Sequence, residues 1–316
     1  MRVAAIDCGT NSVRLLIADV TDGGLADVER RMEIVRLGEG VDRTGRLAPE
    51  ALDRTFTAMR GYAKLIAVHA AGGPTPVRVV ATSATRDAAN RDAFVTGVRE
   101  IFGVDPEVVS GDEEARLSFT GATGDLPSEL AEPYLVVDIG GGSTEFIVGT
   151  GGGPGSGDVA GAISVDIGCV RLTERHLKGA GDPPAAEAVQ AVIADVEATL
   201  DRVERAVPVR EARTLIGLAG SVTTVTGIAL DLPAYDSARI HHSRVPAARV
   251  SEVVSRLLSM THDERAAIPV MHPGRVDVIC AGSLILDRIM RRFGFAEVVA
   301  SEHDILDGIA FSLYRR

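Results

Sequence analysis

The sequence predicts an α/β protein built from two related domains, and three observations carry that expectation. The stretch Ile6-Asp7-Cys8-Gly9-Thr10-Asn11-Ser12-Val13-Arg14-Leu15-Leu16-Ile17 recurs in kind at Val137-Asp138-Ile139-Gly140-Gly141-Gly142-Ser143-Thr144-Glu145-Phe146-Ile147-Val148, displaced by 131 residues (Asp7 to Asp138). Each copy is an apolar strand, a tight D-x-G turn and a second apolar strand, the pattern of a β-hairpin. Behind each copy, short β-branched strands alternate with segments of helical period, which is α/β layering. With 316 residues the chain is long enough for two cores at roughly 100 to 200 residues each. A solenoid repeat is far shorter than this period. The division is placed at residues 1–129 and 130–316, the last helix being free to pack on the first domain.

Taken in order, the first hairpin is followed by a helix over Pro49 to Ala70, where Leu52, Phe56, Met59, Ala63 and Ile66 fall on one face and Pro stands at the start. Val77 to Ala81 is a strand, Asp87 to Phe102 a helix, Pro106 to Val109 a strand, and a helix opens at Gly111. A stretch of Gly, Pro, Ser and acidic residues from Gly124 to Pro133 reads as the linker. After the second hairpin, glycine-rich Gly149 to Gly161 reads as a flexible hairpin loop. Helices follow over Pro183 to Ala206, Pro246 to Met260, Val276 to Phe293 and Ile305 to Tyr314, with strands over Thr214 to Leu218 and Val298 to Ala300.

Composition narrows the function. The apolar runs are strand-length, well short of the ~20 residues that span a bilayer, and Asp7 interrupts the first of them, so neither a membrane span nor a signal peptide is expected. Cys8, Cys169 and Cys280 are too few and too scattered for a disulfide framework or a zinc site. Reduced thiols and a cytoplasmic protein are the expectation. A net charge of −11 argues against a sequence-independent nucleic-acid binder. It leaves room for a local phosphate pocket built from a few arginines and backbone N–H groups.

Candidate chemistry gathers at the turns. A D-x-G turn offers a carboxylate for Mg²⁺ and a glycine that lets N–H groups approach an anion; Asp and Gly are also ordinary hairpin residues. The second copy is richer: three consecutive glycines, Gly140 to Gly142, then Ser143 and Glu145 on one face of the returning strand, so that Asp138 and Glu145 bracket a metal site. Arg14 takes the Glu145 position in the first copy, making one half cationic and the other acidic. In Ser110-Gly111-Asp112-Glu113-Glu114, Ser110 and Glu113 have capping-box spacing. That leaves Glu114 without a structural role and available as a general base. Gly217-Leu218-Ala219-Gly220-Ser221 runs from a strand into a helix N-terminus, an anion site or simply an N-cap at Ser221. Arg86 follows a strand and reaches the same chemistry, or is solvated. His241-His242 is weak as a metal site, and His303-Asp304 reads as a capping element. P-loop, Rossmann, nucleophile-elbow and zincin motifs do not occur in the sequence.

These residues resemble the exopolyphosphatase/guanosine pentaphosphate phosphatase family, part of the actin, sugar-kinase and Hsp70 superfamily. The resemblance rests on Asp7 to Ser12, Arg36-Leu37-Gly38-Glu39-Gly40, Thr82 to Arg86, Ser110 to Arg116 and Asp138 to Glu145. It continues through Asp166-Ile167-Gly168-Cys169-Val170-Arg171, Gly217 to Ser221 and Ser301 to Asp304. It implies two ribonuclease-H-like domains with the site in the cleft between them. It implies catalytic roles for Glu114, Asp138 and Glu145, with Glu114 as base and Asp138 and Glu145 around Mg²⁺ (or Mn²⁺); the first D-x-G turn adds Asp7 as a metal candidate. Asn11, Arg86, Gly141 and Ser143 match phosphate-binding positions of the family, and the turns themselves add Thr10, Ser12, Gly140, Gly142, Gly220 and Ser221. Longer members append helical C-terminal domains, and their absence from this sequence leads to an expectation of short polyphosphate chains.

Four functions compete: an exopolyphosphatase, a guanosine pentaphosphate phosphatase, a small-molecule kinase, and a non-enzymatic alarmone or nucleotide sensor. Intact Glu114, Asp138 and Glu145 weigh against the sensor, and the Glu-Glu-Ala-Arg stretch favours a phosphatase over a kinase by resemblance. The sequence shows no aromatic pair to stack a guanine. Inorganic polyphosphate is therefore the expected substrate, with guanosine penta- or tetraphosphate second, a link to the stringent response, and a homodimer as the expected assembly.

Overall fold

The computed structural model describes residues 1–70 and 73–314. The chain opens with strands β1 (Arg2–Cys8), β2 (Ser12–Thr21) and β3 (Gly24–Ile34), a turn of helix α1 (Val41–Thr44), and helix α2 (Pro49–Val68). Strand β4 (Val77–Ala81), helices α3 (Ser83–Asp87) and α4 (Arg91–Phe102), strand β5 (Glu107–Val108) and helix α5 (Gly111–Ala122) follow. The second hairpin supplies β6 (Tyr134–Ile139), β7 (Thr144–Gly151) and β8 (Gly157–Val165), leading to α6 (Cys169–Leu172) and α7 (Ala186–Ala206). Then come β9 (Thr214–Leu218), α8 (Ala219–Ala229), α9 (Ser237–Ile240), β10 (Arg244–Pro246), α10 (Ala247–Ser259), α11 (His262–Ala266), α12 (Ile279–Phe293), β11 (Glu297–Ala300) and α13 (Ile305–Tyr314).

Two compact units result. The first comprises 1–125, 152–157 and 304–316, the second 126–151 and 158–303. The division thus falls at 125/126 rather than 129/130, and the last segment belongs to the first unit. The physical reason is apolar: Ile305, Leu306, Ile309, Ala310 and Phe311 of α13 share a buried cluster with Val3, Ala5, Leu16 and Leu117. The glycine-rich stretch is also less loop-like than its composition suggests, since only residues 152–156 connect β7 to β8. Helix α4 begins at Arg91, not Asp87, because Ser83–Asp87 forms its own turn of helix at the end of β4.

The first sheet has the order β3-β2-β1-β4-β5. Strands β1, β2 and β3 form an antiparallel meander, and β4 and β5 run parallel to β1. The second sheet, β10-β11-β9-β6-β7-β8, repeats this arrangement through β8, β7, β6, β9 and β11 and adds β10 as an antiparallel edge. Both units are ribonuclease-H-like. The repeat holds to the residue: Asp7 lies opposite Arg14 in β1 and β2, and Asp138 lies opposite Glu145 in β6 and β7.

Period-2 alternation sorts each strand between two faces. In the first unit Ala4, Ile6, Leu15 and Ile17 pack with Met59, Tyr62 and Phe94 of α2 and α4. Val3, Ala5, Leu16 and Ala18 face α5 and α13, so Asp7 and Arg14 fall on that second face. In the second unit Leu135, Val137, Ile139, Phe146 and Val148 enter the large core with α7, α8, α10 and α12, which puts Asp138 and Glu145 together on the opposite face.

Helices α5 and α13 touch backbone to backbone. A Cβ on Gly308 would stand 2.0 Å from the Leu117 carbonyl oxygen, and one on Gly121 1.8 Å from that of Asp304. Neither neighbour is a flexible side chain. Gly308→Ala should therefore cost about 1–3 kcal/mol or more in urea unfolding. Gly61→Ala, in α2 with nothing within 4 Å, should gain roughly 0.5–1 kcal/mol. A Gly308→Ala protein as stable as the parent would show that the two helices can separate freely.

Candidate active site

In each unit the candidate residues stand at the carboxyl ends of the parallel strands, where open α/β sheets bind ligands. In the first unit the ends of β1, β4 and β5 are stitched side by side: Thr82 N–H donates to the Cys8 carbonyl (3.1 Å) and Val109 N–H to that of Ala81 (3.1 Å). This assembles Asp7, the turn Gly9 to Ser12, the segment Thr82 to Arg86, and Ser110 to Glu114.

The first turn is held through its carbonyls. Val35 and Arg36 N–H groups donate to the Asn11 carbonyl (3.0 and 2.9 Å) and Gly38 N–H to that of Thr10 (2.8 Å). Arg36 reaches Asn11 from a left-handed backbone, φ 51°. The Thr10 hydroxyl meets that of Ser83 at 2.9 Å. Asp7 is buried, and its Oδ2 accepts from Arg14 Nε (2.9 Å) and Nη2 (2.7 Å). Arg14 Nη1 pairs with Asp304. Asp7 Oδ1 is buried and has no hydrogen-bond partner. Burial pushes the Asp7 carboxyl above its ordinary range against the pull of Arg14. Burial acts on Asp304 in the same direction, but Arg14, the Leu306 N–H and Arg30 outweigh it and hold that carboxyl low.

Glu114, in the first turns of α5, is 7% exposed. Arg86 Nη1 donates to Glu114 Oε2 (3.0 Å) and to the Val109 carbonyl (3.1 Å), so Arg86 is a structural partner of Glu114 and not a solvated helix arginine. The capping-box expectation for Glu113 is half right. Ser110 Oγ accepts from Glu113 N–H at 3.2 Å, but the Glu113 carboxylate turns to Arg78 Nη2 at 2.9 Å instead of back to the cap. Arg78, near the start of β4, is buried and draws both Glu107 and Glu113 to itself.

The second unit reproduces the turn with different side chains. Cys169 N–H donates to the Gly140 carbonyl (3.0 Å), and Val170 and Arg171 N–H groups donate to that of Gly141 (2.9 and 3.1 Å). Arg171 Nε donates to the Gly142 carbonyl (2.7 Å). With its carbonyls so engaged, the turn leaves the N–H groups of Gly141 and Gly142 without a protein acceptor among the described residues. Ser143 and Glu145 are buried, and Glu145 Oε1 accepts from Ser164 Oγ at 2.6 Å. Thr144, on the opposite face, donates to the Ile167 carbonyl.

Around α8 the sequence reading needs correction. Ser221 is not an N-cap: the helix begins at Ala219, with Leu218 as the cap residue. Ala219 is left-handed at φ 67°. The guanidinium of Arg275 lies against Gly220, where a Cβ would come within 2.5 Å of Cζ, and its Nη1 donates to Thr224 Oγ1 at 3.2 Å. Tyr235, 40% exposed, lies under Arg275, donates its hydroxyl to Glu302 (2.6 Å) and meets the Thr223 hydroxyl at 2.7 Å. Burial pushes the Cys169 thiol up, against Ser221 and Arg275 beside it. His241 stacks on His242 and lies close to His303, and its Nδ1 accepts the Glu302 N–H at 3.1 Å.

A profile of the Ppx/GppA phosphatase family matches residues 16–316. The chain belongs to the Ppx/GppA phosphatase family. It is 50% identical to exopolyphosphatase 2 of Mycobacterium tuberculosis, over 99% of this chain and 98% of the relative. The solved structure of an exopolyphosphatase-like protein is 43% identical and superposes with a TM-score of 0.93, covering 100% of this chain and 99% of the other. The Aquifex aeolicus member of the Ppx/GppA family is 31% identical with a TM-score of 0.81, covering 100% and 98%. Among the described residues no helix is long and apolar enough to cross a membrane.

Arg171, Arg275 and Ser164 in the second unit touch candidate residues without having been assigned roles from the sequence, and Asp304 in the first unit, read there as a capping element, also holds Arg14. Arg171 and Asp304 lie in stretches that the family resemblance had marked; Arg275 and Ser164 lie in none. Gly168 is the most exacting of the new positions, since a Cβ there would stand 2.3 Å from the Gly141 carbonyl oxygen. Gly168→Ala should leave the fold intact, displace the Gly140 to Gly142 turn, and reduce phosphate release roughly tenfold to a hundredfold, the scale of a 1 Å misplacement. Steady-state rates beside a thermal melt would check it, and unchanged turnover would remove the turn from the chemistry.

Proposed function

We propose that the protein is an exopolyphosphatase that releases terminal phosphate from inorganic polyphosphate by hydrolysis, with Mg²⁺ as cofactor and Glu114 as general base. The observation that carries this reading is the pair of turns. Their carbonyls are drawn off by the segments after β3 and β8, and N–H groups of the glycine turn remain to meet phosphate oxygens, as in other anion-binding nests. Phosphoryl transfer calls for positioning and charge neutralisation more than for covalent help.

In this reading Ser143 and the N–H groups of Gly141 and Gly142 bind a phosphate group, and Thr10, Asn11 and Ser12 present the first turn. The carboxylate of Glu114, oriented by Arg86, takes a proton from the attacking water. The new bond forms between the water oxygen and the terminal phosphorus as the bridging P–O bond breaks, and the shortened polyphosphate leaves with the bridging oxygen. The donor set fits a hard divalent cation: Asp7 Oδ1 is buried without a partner in the first unit, and Asp138 and Glu145 share a strand-pair position in the second. Mg²⁺ held at either place would neutralise phosphate charge. Gly220 and Ser221 serve as further phosphate contacts, with Arg275 supplying the cation beside them.

Glu114→Gln should preserve folding and binding and lower turnover by roughly 10² to 10⁴-fold. Glu113→Gln should cost only about 0–1 kcal/mol and leave turnover near the parent's, because its partner Arg78 keeps Glu107. The opposite order of rates would overturn the assignment of the base. Substrate class is decided by steady-state competition at fixed Mg²⁺ between short polyphosphate, long polyphosphate and guanosine pentaphosphate. A higher kcat/KM for short polyphosphate is expected. A higher value for the nucleotide would make the protein a guanosine pentaphosphate phosphatase.

A further inference from the structure

An arginine that pairs with a single carboxylate in the usual fork gives one N–H to each oxygen. Arg14 does not. Its Nε and Nη2 both converge on Oδ2 of Asp7, at 2.9 and 2.7 Å, and Oδ1 is left buried without a partner. The remaining nitrogen, Nη1, is taken by Asp304. Asp304 is itself fixed: its side chain is buried, its Oδ1 accepts the Leu306 N–H at 3.0 Å, and its own N–H donates to Asp307 Oδ2 at 2.9 Å. Asp307 closes the frame by pairing with Arg30 of β3 at 2.5 Å. The start of α13 therefore grips β2 and β3 through two arginines, but only the Asp304 arm continues to Asp7.

The geometry points to Asp304 as a positioning residue for Asp7: by holding Arg14 at Nη1 it keeps the guanidinium on one Asp7 oxygen and leaves the other turned toward a divalent cation. This rests on the reading above that Asp7 serves the cation. Asp304 does not touch the cation or substrate in this account. It acts through Arg14, as outer partners of metal ligands do, and loss of such partners typically weakens metal binding by roughly 10 to 100-fold.

The probe is Mn²⁺, titrated by electron paramagnetic resonance into the full chain without substrate, alongside the Mg²⁺ dependence of turnover. Asp304→Asn keeps the shape and the Leu306 contact and removes the charge that holds Arg14. It should raise the Mn²⁺ Kd and the half-saturating Mg²⁺ concentration about tenfold, with kcat at saturating Mg²⁺ within about threefold of the parent. Asp307→Asn, which loosens the same helix without contacting Arg14, should lower the melting temperature and leave the Mn²⁺ Kd unchanged. Arg14→Lys, unable to bridge both carboxylates, should reproduce the Asp304→Asn shift and keeps the test decisive where Asp304→Asn does not fold. Equal Mn²⁺ affinity in the parent and in Asp304→Asn, with Asp7→Asn impaired, overturns the positioning role alone. An equal shift in Asp307→Asn does the same, by making the effect one of helix packing. Unchanged affinity in Asp7→Asn overturns the cation reading and this inference with it.

Discussion

A tight turn between two buried strands must satisfy its carbonyls somewhere, and the way this protein does so governs the rest of the structure. In both repeats the partner is the segment that follows the third strand: residues 35–38 for Thr10 and Asn11, residues 169–171 for Gly140, Gly141 and Gly142. A buried carbonyl without a partner costs on the order of 1–3 kcal/mol, so these segments are obliged to fold back over the turns. Drawing the carbonyls to one side fixes the orientation of the peptide planes, and N–H groups of the glycine turn are thereby directed elsewhere. The positive-φ backbone at Arg36 and the close approach of Gly168 to Gly141 follow from the same requirement.

The sheet frame then decides what each turn carries. Asp7 and Asp138 occupy equivalent places at the end of a first strand, and the register sets Arg14 opposite one and Glu145 opposite the other. In the first unit the carboxylate receives a cation from its own sheet, and the helix returning at residue 304 supplies a second carboxylate to share it. In the second unit two buried carboxylates face each other, with Ser164 donating to one of them. Like charges directly opposite on one face of an antiparallel pair repel.

Much of this was legible in the sequence, and the reasons are physical. The 131-residue displacement is visible because hairpin strands need apolar alternation and D-x-G turns need small residues, so two copies of the same hairpin look alike even where their side chains differ. Helix-cap spacing gave Glu113 a role that the structure keeps only in its N–H, because nothing local says that its carboxylate prefers the buried guanidinium of Arg78 to its own cap. What the sequence hides is contact between distant segments. Arg14 and Asp304 stand 290 residues apart, and His303-Asp304 on its own reads as a helix cap, which is half of what Asp304 does. Arg275 and Ser164 carry no motif, because an arginine laid flat on a glycine or a serine donating across a strand pair leaves no periodic trace. The placement of α13, left open by the sequence, turns on the same kind of contact: it joins the first unit through Ile305, Leu306 and Ile309, whose apolar pattern does not say which sheet they cover.

The asymmetry between the two halves bears most directly on how each turn balances the charge of its carboxylate. Taking a carboxylate out of water costs several kcal/mol unless charge is supplied nearby. At Asp7 that charge is built into the sheet as Arg14, which grips one oxygen and leaves the other buried without a hydrogen-bond partner. At Asp138 and Glu145 the sheet position that holds Arg14 in the first unit holds a second acid instead. A lysine or arginine at 145 would give Asp138 the same kind of partner that Asp7 has in Arg14. A glutamate there places two acids at one strand-pair position instead of an ion pair. An ion pair at Asp7 and an acid pair at Asp138 and Glu145 are thus different solutions built on one hairpin, and under the proposed function both would offer hard oxygen ligands to a divalent cation.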